Sequence, residues 1–336
     1  MARSLAIDLG TANTLVYSMG NDIVYRQPTV IAVHRQTGEV LAMGEEAWRM
    51  IGRTPSYIVA HRPLRNGAIT DFDMTEQMMR AIFHQIGVNR FNRPRVVICV
   101  PSALTLVEMR AVKLAARRAG AGNVLLMEQP IAAALGANLP IDKSVGNLIV
   151  DIGGGTTESG LISLGGVVAL EAERVGSFAV DDAVQKYLRE AYDIAVGEQT
   201  AEKIKITIGS ALDVGQDREM QVHGRRVSVS APEVLTLNSG EIREAIAGPL
   251  RAILNSILNC VSNTPPELAN DIARRGLFLT GGGGLLSGID QRIANEAGVP
   301  VRRVDYPLEC VVRGAGRSLA ALDLMRGMFV DFSDGD

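Results

Sequence analysis

The sequence is poor in most of the residues that advertise a chemistry. Its three cysteines, Cys99, Cys260 and Cys310, stand far apart and form no CxxC pair. That excludes a disulfide framework and a cysteine-built metal centre, and leaves buried, reduced thiols as the expectation. Four histidines, His34, His61, His84 and His223, are equally scattered, none at metal-ligand spacing to another. Aromatic residues make up only 4% of the 336 positions, so the core has to be built from aliphatic side chains. No run approaches the ~20 apolar residues that span a bilayer. Asp8 breaks the N-terminal apolar stretch, which therefore does not read as a signal peptide. There is no basic block either: 34 Lys and Arg against 37 Asp and Glu leave a net charge of −3. Nucleic acid is not an expected partner.

What is present is 47% hydrophobic residues and enough chain for about two domains. The stretch that organises the chain is Asp151-Ile152-Gly153-Gly154-Gly155-Thr156-Thr157-Glu158, set between the apolar runs Leu148–Val150 and Leu161–Ile162. Two strands joined by such a turn form a hairpin. Three glycines leave the turn without side chains, so its amide N–H groups can close on an anion. A bare phosphate would repel the aspartate at the mouth, and a divalent cation between them removes the conflict.

The same pattern stands near the N-terminus. Asp8-Leu9-Gly10-Thr11-Ala12-Asn13-Thr14 matches Asp151 to Thr157 as Asp, aliphatic, Gly, two small residues, a polar residue and Thr. Each copy opens a β-meander, and each meander runs on into alternating helices and strands. Val96–Ser102 in the first half corresponds to Gly276–Gly284 in the second. Internal duplication follows, with a mixed sheet and helices on both faces of each half. Residues 31–71, rich in breakers, and a β-like segment at Met220–Ser230, turning at His223-Gly224-Arg225, read as one insert per half. Helices are expected at 177–192, 199–208 and 241–260, and another from Leu285.

Two halves with matching turns imply a cleft with the turns facing each other. Asp8 and Asp151 would both reach one Mg²⁺ through water, because such an ion keeps most of its waters and takes few carboxylates. The amides of Thr11, Ala12, Asn13, Gly154, Gly155 and Thr156 would hold phosphates. Gly281, Gly282, Gly283 and Gly284 form a third candidate contact, for an adenine or sugar lying flat on the backbone. No segment matches the P-loop or the dinucleotide G-x-G-x-x-G in its strand–helix setting.

On these residues the chain resembles the actin-like ATPase superfamily, and within it the bacterial MreB/Mbl cell-shape family. Further stretches carry the resemblance: Gly52-Arg53-Thr54-Pro55, Pro130–Gly136, Thr200–Lys205, Leu237-Asn238-Ser239, Pro265–Ala269 and Leu279–Leu286. It implies an α/β actin-like fold of two duplicated, ribonuclease-H-like domains. The implied subdomains are 1–30 with 72–146 and 313–336 (IA), 31–71 (IB), 147–183 with 245–312 (IIA) and 184–244 (IIB). It also implies ATP and Mg²⁺ as cofactors. Glu202, Lys203, Ile204 and Lys205 would contact ribose and adenine, and Gly281–Gly284 with Leu285 and Leu286 the adenosine. Where the family usually has a second glutamate before the proline, this chain has Glu128-Gln129-Pro130. A glutamine orients water by hydrogen bonds without being a base. Slow hydrolysis is expected, with Gln129, Thr156 and Asp151 as the catalytic set.

The resemblance further implies homopolymer filaments, cell-wall elongation and membrane partners, and a cytoplasmic location at the membrane's inner face. So few residues precede Leu5 that no N-terminal amphipathic anchor is expected. Phe91, flanked by Arg90 and Arg93, would be the lipid-touching tip. A small-molecule kinase on the same fold would need an acceptor carboxylate that no residue supplies. A chaperone ATPase would need a substrate domain beyond the helix start at Gly314-Ala315-Gly316-Arg317. A nucleotide-binding regulator that never hydrolyses is the remaining alternative.

Overall fold

The computed structural model describes residues 3–89, 91–213, 215, 218–323 and 325–330. The acidic tail 331–336, expected to fray, lies outside them.

The first half opens with the meander β1 (Ser4–Leu9), β2 (Asn13–Ser18) and β3 (Asp22–Pro28). An insert follows: β4 (Ile31–His34), β5 (Val40–Met43), α1 (Gly44–Met50), β6 (Ile58–His61) and the short hairpin β7 (Leu64–Arg65) and β8 (Ala68–Ile69). Its larger sheet runs β5-β4-β6. The chain then builds α2 (Phe72–Gln85), β9 (Arg95–Val100), α3 (Leu106–Ala119), β10 (Asn123–Glu128) and α4 (Gln129–Gly136). Helix α2 starts where the Asp71 side chain accepts from Met74 N, and α3 starts on a capping box between Thr105 and Glu108. Pro130 sits in the first turn of α4, where its missing N–H costs nothing.

The second half repeats the plan. The meander β11 (Asn147–Ile152), β12 (Thr157–Ser163) and β13 (Gly166–Glu173) leads to α5 (Ser177–Tyr192). Its insert is β14 (Ile194–Ala195), α6 (Glu198–Ile208), β15 (Glu219–Arg226) and β16 (Pro232–Asn238). Then come α7 (Ser239–Ala245), α8 (Ala247–Ser262), α9 (Pro266–Arg275), β17 (Leu277–Thr280), α10 (Ile289–Ala297), β18 (Val301–Arg303) and α11 (Cys310–Ser318).

The two main sheets have the same order. One runs β10-β9-β1-β2-β3 and the other β18-β17-β11-β12-β13. In each, the first meander strand pairs antiparallel with the second and parallel with a later strand. Asp8 and Asp151 occupy the same place, the last residue but one of the central strand. Carboxyl ends of strands are where open α/β sheets bind ligands.

Among the described residues, three large apolar clusters hold this together, beside a small one of Val30, Ala32, Ala42 and Ala47 in the first insert. One fills the first half around Ile7, Phe83 and Ile98, and one fills the second around Val150, Leu254 and Leu279. A third joins them: Ala6 and Val97 of the first sheet and Ile149 and Ile162 of the second pack with Ile131, Ala132 and Ala133 of α4 and Val311 and Ala315 of α11. Helices α4 and α11 are thus the shared floor of both sheets.

Three sequence expectations need correction. His223-Gly224-Arg225 is no turn: β15 runs through it, and Gly224 pairs with Glu233. Glycine is required there because a Cβ would stand 2.3 Å from Ile194 Cγ2 on the neighbouring strand. The helix expected over 241–260 is two helices meeting at 58°. The helix expected from Leu285 is a single 3₁₀ turn at Gly283–Leu285, and α10 begins only at Ile289.

Candidate functional site

The two Asp-turns have one geometry. Gly10 N donates to Asn13 O at 3.1 Å, and Gly153 N donates to Thr156 O at 2.8 Å, the same offset from each aspartate. Each turn is propped from behind. Thr29 donates from its N–H to Ala12 O and from Oγ1 to Gly10 O. Ser177 N and Phe178 N, at the start of α5, donate to Gly153 O and Gly154 O.

The turns face each other at close range. A Cβ at Gly154 would stand 2.8 Å from Ala12 Cβ, and one at Gly155 would stand 2.7 Å from Thr11 Oγ1 and 2.8 Å from Asn66 Cα. Glycine is obligatory there because the opposing turn fills the space. Between them lies a cavity of about 450 Å³, lined by both turns, Gln129, Glu202, Lys205, Gly281–Gly283, Leu285 and Leu286. That volume suits a nucleotide-sized ligand.

Asp8 and Asp151 point into the same buried region. Burial, then the charge of Asp151, pushes Asp8 up to about 7, while the Gln129 side chain pulls the other way. Burial pushes Asp151 up to about 6. Asp8 Oδ1 is sealed from solvent with no hydrogen-bond partner. A buried carboxylate oxygen left unpaired is costly unless a cation completes it. Gly281, at φ +82°, lies so close that a Cβ would stand 2.2 Å from Asp151 Oδ1. No group of three metal-ligating side chains exists among the described residues. The residues therefore fit an ion that keeps its waters and borrows phosphate oxygens, as Mg²⁺ does, rather than a caged metal. Glu158, behind Asp151, is pushed up to about 8 mainly by burial and takes hydrogen bonds from Ser102 N and Oγ across the two halves.

Not every expected residue reaches the cavity. On α6, Glu202 and Lys205 line it, whereas Lys203 is exposed and Ile204 is fully buried in the second-half core. The cause is helical rotation: at 3.6 residues per turn, four consecutive residues cannot share a face. Lys205 Nζ is bound to Asp181 Oδ2 at 2.9 Å. Gly284 also turns away, its Cα backing onto Leu279 of β17. Phe91 stands apart from the cavity, 85% exposed, with Asn89 Oδ1 accepting from Phe91 N and Asn92 N to shape the turn. Arg90 lies outside the described residues.

Two contributors escaped the sequence reading. Gly67 lines the cavity and donates its N–H to Thr11 Oγ1, and the Asn66 backbone presses on Gly155. The Asn-Gly pair is a hairpin signal that could have flagged them. The apolar wall of Leu250 and Ile253 on α8 has no sequence signal that separates it from core.

A family model described as MreB/Mbl protein matches residues 2–327. The chain belongs to the MreB/Mbl family. Within the family, it is 45% identical to the cell shape-determining protein MreB of Escherichia coli (strain K12) over 332 residues, covering 97% of this chain and 96% of that protein. Among solved structures, it resembles MreB5 of Spiroplasma citri bound to ADP at a TM-score of 0.91 and 34% identity, covering 96% of this chain and 97% of that one. A MamK double helical filament shares the fold at a TM-score of 0.78 and 20% identity, covering 95% of this chain and 98% of that one. The actin-like architecture that the resemblance implied is the one these neighbours have.

Proposed function

We propose that this chain is an actin-like cytoskeletal protein of cell-shape control that binds ATP with Mg²⁺ between its two halves, polymerises, and hydrolyses the nucleotide slowly. The observation that carries the reading is the pair of facing turns, each closed by the same glycine N–H to carbonyl hydrogen bond and each headed by an aspartate, Asp151 buried and Asp8 with its Oδ1 sealed from solvent. The family's cell shape-determining relative and the ADP-bound MreB5 are consistent with it.

The turn amides would take the phosphates, and Asp8 and Asp151 would hold the ion, which supplies charge neutralisation for phosphoryl transfer. Gln129, nearly buried beside Asp8, would orient the attacking water together with Thr156. Gln129→Ala is expected to lower phosphate release by about ten- to a hundredfold under assembling conditions, with nucleotide affinity kept. Equal release from the two proteins rejects the assignment.

Filaments lying on the inner face of the membrane and guiding cell-wall synthesis complete the proposal, with Phe91 as the lipid contact. Sedimentation and electron microscopy with ATP, ADP and no nucleotide, with and without anionic vesicles, tests it. Polymer that depends on ATP, and vesicle binding that Phe91→Ser weakens, are expected. No polymer under any condition would favour a nucleotide-binding regulator, and vesicle binding unchanged by Phe91→Ser would remove the lipid contact.

A further inference from the structure

Beside the cavity, the insert of the first half touches the second half through a cation held between two rings. Arg62 follows β6, and its guanidinium carbon lies 4.7 Å from the ring centre of Trp48 on α1 and 4.4 Å from that of Phe178 on α5. The two rings come from opposite halves. Glu198, in the first turn of α6, stands 3.8 Å from Arg62 Nε. The next residue, Gln199, closes a second link: its Nε2 donates to Trp48 O at 2.7 Å, and its Oε1 accepts from Arg53 Nη2 at 3.2 Å. Only 16% of the Arg62 side chain is exposed, and its Nη1 is buried with no hydrogen-bond partner.

The position is what gives these contacts meaning. Glu198 lies one turn before Glu202 on α6, so the linked end of the helix continues into the part that walls the cavity. Phe178 N donates to Gly154 O, so the second ring is bonded through its own backbone to a phosphate-type turn. Any movement of that turn is passed directly to one plate of the stack. A guanidinium suits such a joint because it stacks on both faces while its edge stays charged.

We propose that Trp48, Arg62 and Phe178, with Gln199, form a latch that holds the two halves closed beside the cavity and so limits how fast a bound nucleotide leaves. The consequence for exchange rests on the nucleotide reading above, whereas the closure itself does not. Trp48 is the only tryptophan in the chain. Its fluorescence therefore reports the latch whether or not a ligand is bound.

The test uses the full chain and two variants, Phe178→Ala and Arg62→Lys, the second keeping the charge while losing the flat face. Each is checked for an unchanged circular dichroism spectrum, and Gln199→Ala stands in for any that fails. Release of N-methylanthraniloyl-ADP, chased with unlabelled ADP, should quicken about tenfold in Phe178→Ala and several-fold in Arg62→Lys. Acrylamide quenching of Trp48 should rise about twofold in both, since the stack shields one face of the indole. Unchanged release with raised quenching overturns the control of exchange, and unchanged quenching overturns the latch. If the parent protein holds no labelled ADP, the nucleotide reading falls and quenching alone decides whether the halves are latched.

Discussion

Asp8→Asn is expected to melt higher than the parent protein at pH 8 and to lose its Mg²⁺-dependent nucleotide binding. The two effects have one origin. The Asp8 carboxyl is held at about 7 in the folded chain, against an ordinary 3.8. Between those values the folded state binds more protons than the unfolded one, so stability falls as pH rises through that window. The penalty is complete above pH 7. Ionising such a group costs on the order of 4 kcal/mol, and asparagine removes that cost while leaving a buried amide to satisfy. A net gain of about 2 kcal/mol at pH 8, falling to nothing between about pH 5 and 6 and turning into a loss of similar size near pH 4, is the expectation. The same charge would attract the proposed cation, so affinity for Mg²⁺–nucleotide should drop on the order of a hundredfold or more. Thermal melts across pH, paired with titration of a fluorescent nucleotide, check both. A lower melting temperature at pH 8, or unaltered affinity, would refute the idea that the aspartate is stored in a strained, ion-seeking state.

Gly314→Val should be among the most damaging single changes in the chain, though it lies away from the two turns. A Cβ at Gly314 would stand 1.7 Å from Ala132 O, and one at Gly136 would stand 1.9 Å from Cys310 O. Both obstacles are backbone, so no rotamer relieves them and the helices α4 and α11 must part. That pair is the floor shared by the two sheets, so parting it opens the third apolar cluster. A loss of roughly 3–5 kcal/mol is expected, lowering the melting temperature by about 4–7 °C in a chain of this size. Gly248→Ala is the control, because nothing lies within 4 Å of its added methyl. A fall of less than about 2 °C for Gly314→Val would show that the floor yields more easily than its packing suggests.

The readable parts of this molecule were those written in local periodicity. The meanders, the strand β9 and the helix α5 followed from apolar spacing within a few residues. The facing of the two turns was also legible, because the pattern at Asp8 recurs at Asp151. What stayed hidden depends on partners distant in sequence. Gly224 looked like a turn glycine because its true reason, the crowding side chain of Ile194, lies 30 residues away. Lys203 and Ile204 were grouped with Glu202 and Lys205 because a linear motif carries no rotation. Arg62, Trp48 and Phe178 share no motif at all, and only the closed arrangement of the halves makes them neighbours.

The matched strand orders of the two sheets have a further consequence. A pair of equivalent half-sites related by rotation has no head and no tail, yet a nucleotide has both. The scaffold can therefore tell one end of its ligand from the other only where its copies have drifted apart. Thr11 and Ala12 carry side chains where Gly154 and Gly155 have none, and Gly281 flanks Asp151 where Pro101 follows the strand beside Asp8. Those few differences are what break the symmetry.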